Sequence, residues 1–313
     1  MTALSLRRQP TQQWAPSSVL KIIGKLSGLR ELHYELWREW DREDTGSADR
    51  SKSSPANTYP RYKKKKKKRK KPPGLTDRPQ TGTRAFHAAL PSFGPGLSKL
   101  VLFEDFSEAY PPTTPPNRRA ASEGLATAAA ALPGLQHLSA SFLAEAGWFL
   151  PAVAAACPPP RARGSGLAAL AALTLTSGVL APGAGGSAIN NLLGVAAAVA
   201  PARLPGLRLM EVWNGGRGVA GVFRYQVLLP GAARITWRAM WDVELEPGVV
   251  GAWEAVERGH GLVGGLEVVK ELLGGGVAGS IRSHGDAICQ LGFEHDVCHP
   301  ISLSQIRRGI VGD

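Results

Sequence analysis

Apolar positions along this chain alternate between a helical rhythm and a strand rhythm. The phrase L-x-x-[LM]-x-[LVYA] occurs five times, beginning at Leu29, Leu97, Leu135, Leu170 and Leu207. Each copy follows a short apolar or Ala-rich stretch with helical spacing and a Gly or Pro stop, and then alternates as a strand does. The first unit places Leu20, Ile23 and Leu26 on a helix, with Ser17 or Ser18 as its cap and Gly28 in a left-handed stop. The later units predict a short helix over 85–90, then helices over 120–132 and 143–157. The last, with Ile189, Leu192, Leu193, Ala196 and Val199 on one face, is capped by Ser187.

A helix, a stop and a short strand cannot bury both faces alone. Stacked units form a parallel sheet lined with helices, so the pattern predicts an α/β, leucine-rich-repeat-like solenoid. The later starts lie 38, 35 and 37 residues apart, whereas the first interval is 68. Residues 42–76 fill the difference. They are polar, rich in Ser, Pro and Lys, and lack apolar periodicity, which predicts a disordered insertion.

After Gly218 the rhythm changes. Phe223, Tyr225, Val227 and Leu229 alternate, Pro230-Gly231 turns the chain, and Ile235, Trp237, Ala239 and Trp241 alternate back. That is an antiparallel hairpin. A helix over 247–258, a strand over 266–272, a short helix over 286–291 and a final helix from Pro300 complete a C-terminal α+β cap. The expected organisation is a disordered 1–16, a first repeat at 17–41, the 42–76 insertion, repeats two to five over 77–218, and the cap over 219–313.

Composition changes this picture at one place. The formal charge is +12, but Lys63, Lys64, Lys65, Lys66, Lys67, Lys68, Arg69, Lys70 and Lys71 supply nine of it. The remainder carries only 12 − 9 = +3, so the basicity is a segment rather than a surface. That tract reads as a solvated run, a nuclear address or a phosphate contact. Three cysteines make no disulfide framework and suggest a reducing compartment, cytoplasmic or nuclear. The longest apolar stretch, 167–182, is too short to suggest a bilayer span.

Candidate chemistry is sparse. Gly259-His-Gly-Leu-Val-Gly264 satisfies G-x-G-x-x-G, but a predicted helix precedes it, where a dinucleotide fingerprint needs a strand; a loop is expected. His284, Cys289, His295, Cys298 and His299 crowd together without paired zinc spacing, and read as buried structural residues. Ser283, His284 and Asp286 lie too close in sequence to align as a triad. No catalytic residue, metal or cofactor is assigned, and no enzyme is expected. The strand face pointing away from the repeat helices remains. Alternation places His33, Val101, Ser139 and Thr174 there, with Glu35, Phe103, Ser141, Thr176, Glu211 and Trp213 as the expected contacts of a protein partner; the alternative is that the C-terminal block covers them.

The segments GLRELHYELWREW (28–40), LSKLVLFEDF (97–106), LQHLSASFL (135–143) and LTLTSGVLAP (173–182) carry a resemblance. So do LPGLRLMEVWNGGRGVAGVFRYQ (204–226), ITWRAMW (235–241), SHGDAICQL (283–291) and HPISLSQIR (299–307). The chain resembles uncharacterised fungal proteins with F-box-type N-termini and a leucine-rich-repeat-like body. The resemblance implies the substrate-recognition part of a ubiquitin-ligase adaptor, here without its F-box. Nucleic-acid association through the lysine tract is the alternative.

Overall fold

A computed structural model describes residues 2–7, 16–37, 86–94, 96–106, 118–156, 167–228, 231–274, 276 and 279–309. The expected insertion over 42–76 and the tract Lys63–Lys71 lie outside the described residues. The rest forms a mixed α/β protein around one nine-stranded sheet whose strands follow chain order. Strands β1 (Ala3–Leu6), β2 (Glu31–Trp37), β3 (Lys99–Asp105), β4 (His137–Glu145), β5 (Ala172–Thr176) and β6 (Leu209–Gly216) are parallel. The hairpin β7 (Val219–Leu228) and β8 (Ala232–Ala239) runs antiparallel, and β9 (Leu266–Leu272) returns parallel to β8.

The five leucine phrases fall into exact register. Leu32, Leu100, Leu138, Leu173 and Met210 are successive cross-strand partners, as are Tyr34, Leu102, Ala140, Leu175 and Val212. The turn before each strand also repeats. The N–H groups of Leu29, Leu135, Leu170 and Leu207 each donate to the carbonyl three residues back, at 3.0–3.1 Å. That bond turns the first leucine of the phrase inward, and all five are at most 2 % exposed. Gly206 earns its place here by close approach: a Cβ would sit 2.7 Å from the Ala168 carbonyl oxygen.

Helices α1 (Pro16–Ile23), α2 (Arg118–Ala130), α3 (Ala146–Ala156), α4 (Gly186–Arg203) and α5 (Pro247–Gly259) cover one face of the sheet. Their small side chains suit this work. Ala126, Ala129, Ala196 and Ala200 are fully buried and let helix and sheet approach closely. Phe149, Trp237 and Trp253 fill the wider gaps. The opposite face is covered by the chain after β9, including α6 (His284–Leu291) and α7 (Pro300–Arg308), which form a second apolar core with Phe103, Trp213 and Val222.

Several expectations change. Ala3–Leu6, placed in a disordered N-terminus, is a strand, because it finds the open edge of β2. Ser17 and Ser18 lie inside α1, which ends at Ile23, well before Gly28. Gly185, at φ 77°, rather than Ser187, precedes α4. β7, β8 and β9, placed in the cap, extend the same sheet by three strands, and described residues from 281 on fold back beneath it.

The covered strand face as candidate functional site

Alternation sends Glu35, Phe103, Ser141, Thr176, Glu211 and Trp213 to the face away from α1–α5, as the sequence predicts. Their expected exposure is corrected. None is more than 5 % exposed, and Phe103, Ser141, Glu211 and Trp213 are fully buried. The cause lies in the C-terminal segment, whose amphipathic helices must bury apolar faces of their own. Ile288, Leu291, Val297, Cys298 and Ile306 close over Phe103 and Trp213. A site whose side chains are sealed in this way presents nothing to a partner.

Three buried carboxylates fasten the cover. Glu35 on β2 accepts from the His299 backbone N–H at 2.6 Å and from the Ser302 hydroxyl at 2.5 Å. Asp105 at the end of β3 lies 2.9 Å from His284 Nε2, with both side chains 1 % exposed. Glu211 on β6 accepts from Arg224 Nε at 2.8 Å and from Thr174 at 3.1 Å, while Arg224 donates to the Gly292 carbonyl at 2.5 Å. Burial pushes the Glu211 carboxyl above its ordinary range, and the Arg224 charge pulls it back. A carboxylate in such a place is tolerable only because ion pairs and hydrogen bonds replace its water.

Between these clamps, aromatic rings interlock. Phe142 is the only described non-glycine residue with positive φ, at 59°, where β4 slips register against β5. The bulge turns its ring to within 4.9 Å of Trp213 and 5.5 Å of His284, and its N–H is taken by the Thr176 hydroxyl at 2.8 Å. Trp213 in turn donates to the Ser141 hydroxyl at 3.3 Å and meets Phe293 at 5.0 Å. Gly215 is needed for this contact, since a Cβ would fall 2.6 Å from that of Ala287 on α6.

Histidines pair across the seam. His137 on β4 faces His295 at 4.8 Å, and His33 on β2 faces His299 at 6.0 Å. Burial lowers the pKa of both strand histidines, and the facing imidazole lowers each further. Among the described residues, His33 Nε2, His137 Nδ1 and the Ser139 hydroxyl have no hydrogen-bond partner. Ser283 is engaged, capping α6 by accepting from the Asp286 N–H, while His284 turns to Asp105.

The crowded histidines and cysteines divide. His284 and Cys298 are buried as expected, but Cys289 and His295 are exposed, because they fall on the outer side of the segment. Among the described residues no group of three His, Cys, Asp or Glu could hold a metal ion. The G-x-G-x-x-G stretch closes α5 and leads into β9, the reverse of a strand-to-helix phosphate turn. Among the described residues no helix is long and apolar enough to cross a membrane. The residues that sequence reasoning missed are Asp105, Arg224 and Ser302. Their one advance signal was the amphipathicity of α6 and α7, which demanded an apolar partner.

Neither a curated protein nor a solved structure matches this chain. Residues 89–299, more than half of its length, match a family of unknown function (DUF6546), and the chain belongs to that family.

Proposed function

We propose that the protein is a non-enzymatic protein-interaction module on a leucine-rich-repeat-like solenoid, the substrate-recognition part of an F-box-type ubiquitin-ligase adaptor. The in-register repetition of the leucine phrase supports the repeat reading, and the family-like segments support the adaptor role. With the strand face sealed, the open margin at β9 takes over as the docking surface. This margin is the observation that carries the reading.

β9 is the last strand of the sheet, and β8 is its only neighbour among the described residues. Its charges are tied back: Glu267 to Arg234 at 2.8 Å, Glu271 to Arg238 at 3.0 Å and Lys270 to Asp242 at 2.9 Å. What faces outward is main chain plus Val268, 43 % exposed, and Leu272, 57 % exposed. Edge strands are ordinarily guarded by free charge, and here the charge is neutralised. The fitting occupant is an extended segment of a partner protein, added as a further strand with apolar side chains at alternate positions.

A photo-crosslinking residue placed at position 270, between Val268 and Leu272 on the same face of β9, should capture a discrete partner in cells, and one at position 213 should not. Val268→Arg with Leu272→Arg should abolish that capture, and the partner's ubiquitylation with it, at unchanged melting temperature. Capture from position 213, or capture that survives the double variant, refutes the β9 reading. The alternative, a nuclear protein holding nucleic-acid phosphates through Lys63–Lys71, rests on the charge run. Deletion of the run should abolish salt-sensitive binding to DNA or RNA if that alternative holds.

A further inference from the structure

An open groove of about 340 Å³ runs along the outer side of α7, lined by Arg282, Pro300, Leu303, Ser304, Arg307 and Arg308. Five of these residues belong to one stripe of the helix, because positions three and four apart share a face. Arg282 comes from the turn before α6 and closes the other side. All three arginines are exposed.

The arginines are held differently. Asp286, itself only 6 % exposed, accepts from Arg307 Nε at 3.1 Å and from the Arg282 backbone N–H at 3.1 Å, and lies 3.8 Å from Arg282 Nε. It thereby holds the Arg307 guanidinium by its inner nitrogen, which also bonds Cys289, and pairs more loosely with that of Arg282. No bond to Arg308 is formed among the described residues. Gly285 lets the supporting helices meet, since a Cβ there would be 2.8 Å from Ile306.

Charge then selects the ligand. Three arginines and one aspartate sum to +2, reduced by roughly half a charge at the C-terminal end of α7. A phosphate monoester carries about −1.5 to −2 at neutral pH, with oxygens suited to guanidinium forks. All three arginines line one groove, which suits a single dianion rather than a nucleic-acid backbone. Pro300 and Leu303 add apolar surface that a bare phosphate ion would not use.

We propose that this groove binds a phosphorylated serine of a partner protein, with Arg282, Arg307 and Arg308 on the phosphate, Ser304 as an additional donor, and Pro300 and Leu303 against the neighbouring residue. The groove shares no residue with the β9 margin, so either assignment can fail while the other stands.

The test uses the full chain and a fluorescent degenerate heptapeptide library centred on phosphoserine, with its unphosphorylated counterpart, inorganic phosphate and a single-stranded DNA oligomer as the other arms. The phosphorylated library should bind at least about tenfold more tightly than each of the others. Arg308→Ala should weaken it about fivefold or more, and Arg282→Ala with Arg308→Ala should remove it, both at unchanged melting temperature. Arg308→Lys should keep the charge but only part of the affinity, because an ammonium lacks the fork. Equal binding of the unphosphorylated library, equal binding of phosphate or DNA, no saturable binding, or full affinity in the double variant each overturns the proposal.

Discussion

The two faces of the sheet are built by different rules. On the helix side, rows such as Leu32, Leu100, Leu138, Leu173 and Met210 are purely apolar, and their partners are the helices of the same or the next repeat. On the other side, buried Glu35, Asp105 and Glu211 alternate with Phe103 and Trp213, and Glu35 and Asp105 take their partners from residues 284–302. One face is generic and locally specified. The other is particular, and a polar group there that loses its mate has no water to replace it.

Breaking the second face should therefore cost as much as breaking the first. Trp213→Ala is expected to lose about 4 kcal/mol of stability, comparable to the 2–5 kcal/mol range for a buried Met→Ala change at Met210. Parallel urea melts of the two variants measure this directly. A Trp213→Ala protein within about 1 kcal/mol of the parent would show that the C-terminal layer is a loose cover.

Asp105→Ala removes the carboxylate 2.9 Å from the buried His284 Nε2 and should cost about 3 kcal/mol. Hydrogen exchange would locate the damage: protection should fall in α6 while α2 and α4 keep theirs. Uniform loss across both faces would instead mean that the layers unfold as one unit.

The helix side has its own weak point in acid. His87 is 3 % exposed, its Nε2 has no partner among the described residues, and burial lowers its pKa to about 4. The folded protein therefore binds fewer protons than the unfolded chain between pH 6.5 and 4. The stability His87 permits is whole above pH 6.5 and lost as pH falls through that window, by about 3 kcal/mol at its end. His87→Phe should flatten this part of the stability–pH curve, and an unchanged slope would assign the acid sensitivity to the seam histidines His33 and His137, which shift in the same direction.

Ser141→Ala leaves the buried Trp213 N–H without its acceptor and should cost about 1–2 kcal/mol. At the other extreme, Val268→Thr on the exposed margin should change stability by less than about 0.5 kcal/mol in the same melts. A larger loss would mean that β9 is packed against something in solution.

Much of the helix side was legible in advance. Periodicity located the five phrases, the hairpin at 219–239 and the helices near 247–258 and from Pro300, because those features are written within one turn or one strand of each other. The strand face was legible in direction but not in exposure. Glu35 and Trp213 do point away from the helices, yet they contact His299, Ser302 and Phe293, residues 264, 267 and 80 positions later. Helix starts were missed where glycine or proline geometry replaced a side-chain cap, as at Gly185.

What the sequence determined by itself is the unit: a leucine turn, a short parallel strand, a helix of small residues, and their repetition in register. Backbone hydrogen bonding and side-chain period fix these locally. Only the tertiary structure decided which face is sealed, which carboxylates are clamped and where an edge stays open. Those outcomes depend on loop closure and apolar burial between distant segments, and alternation records only that a residue points outward from one layer, not whether a second layer comes to meet it.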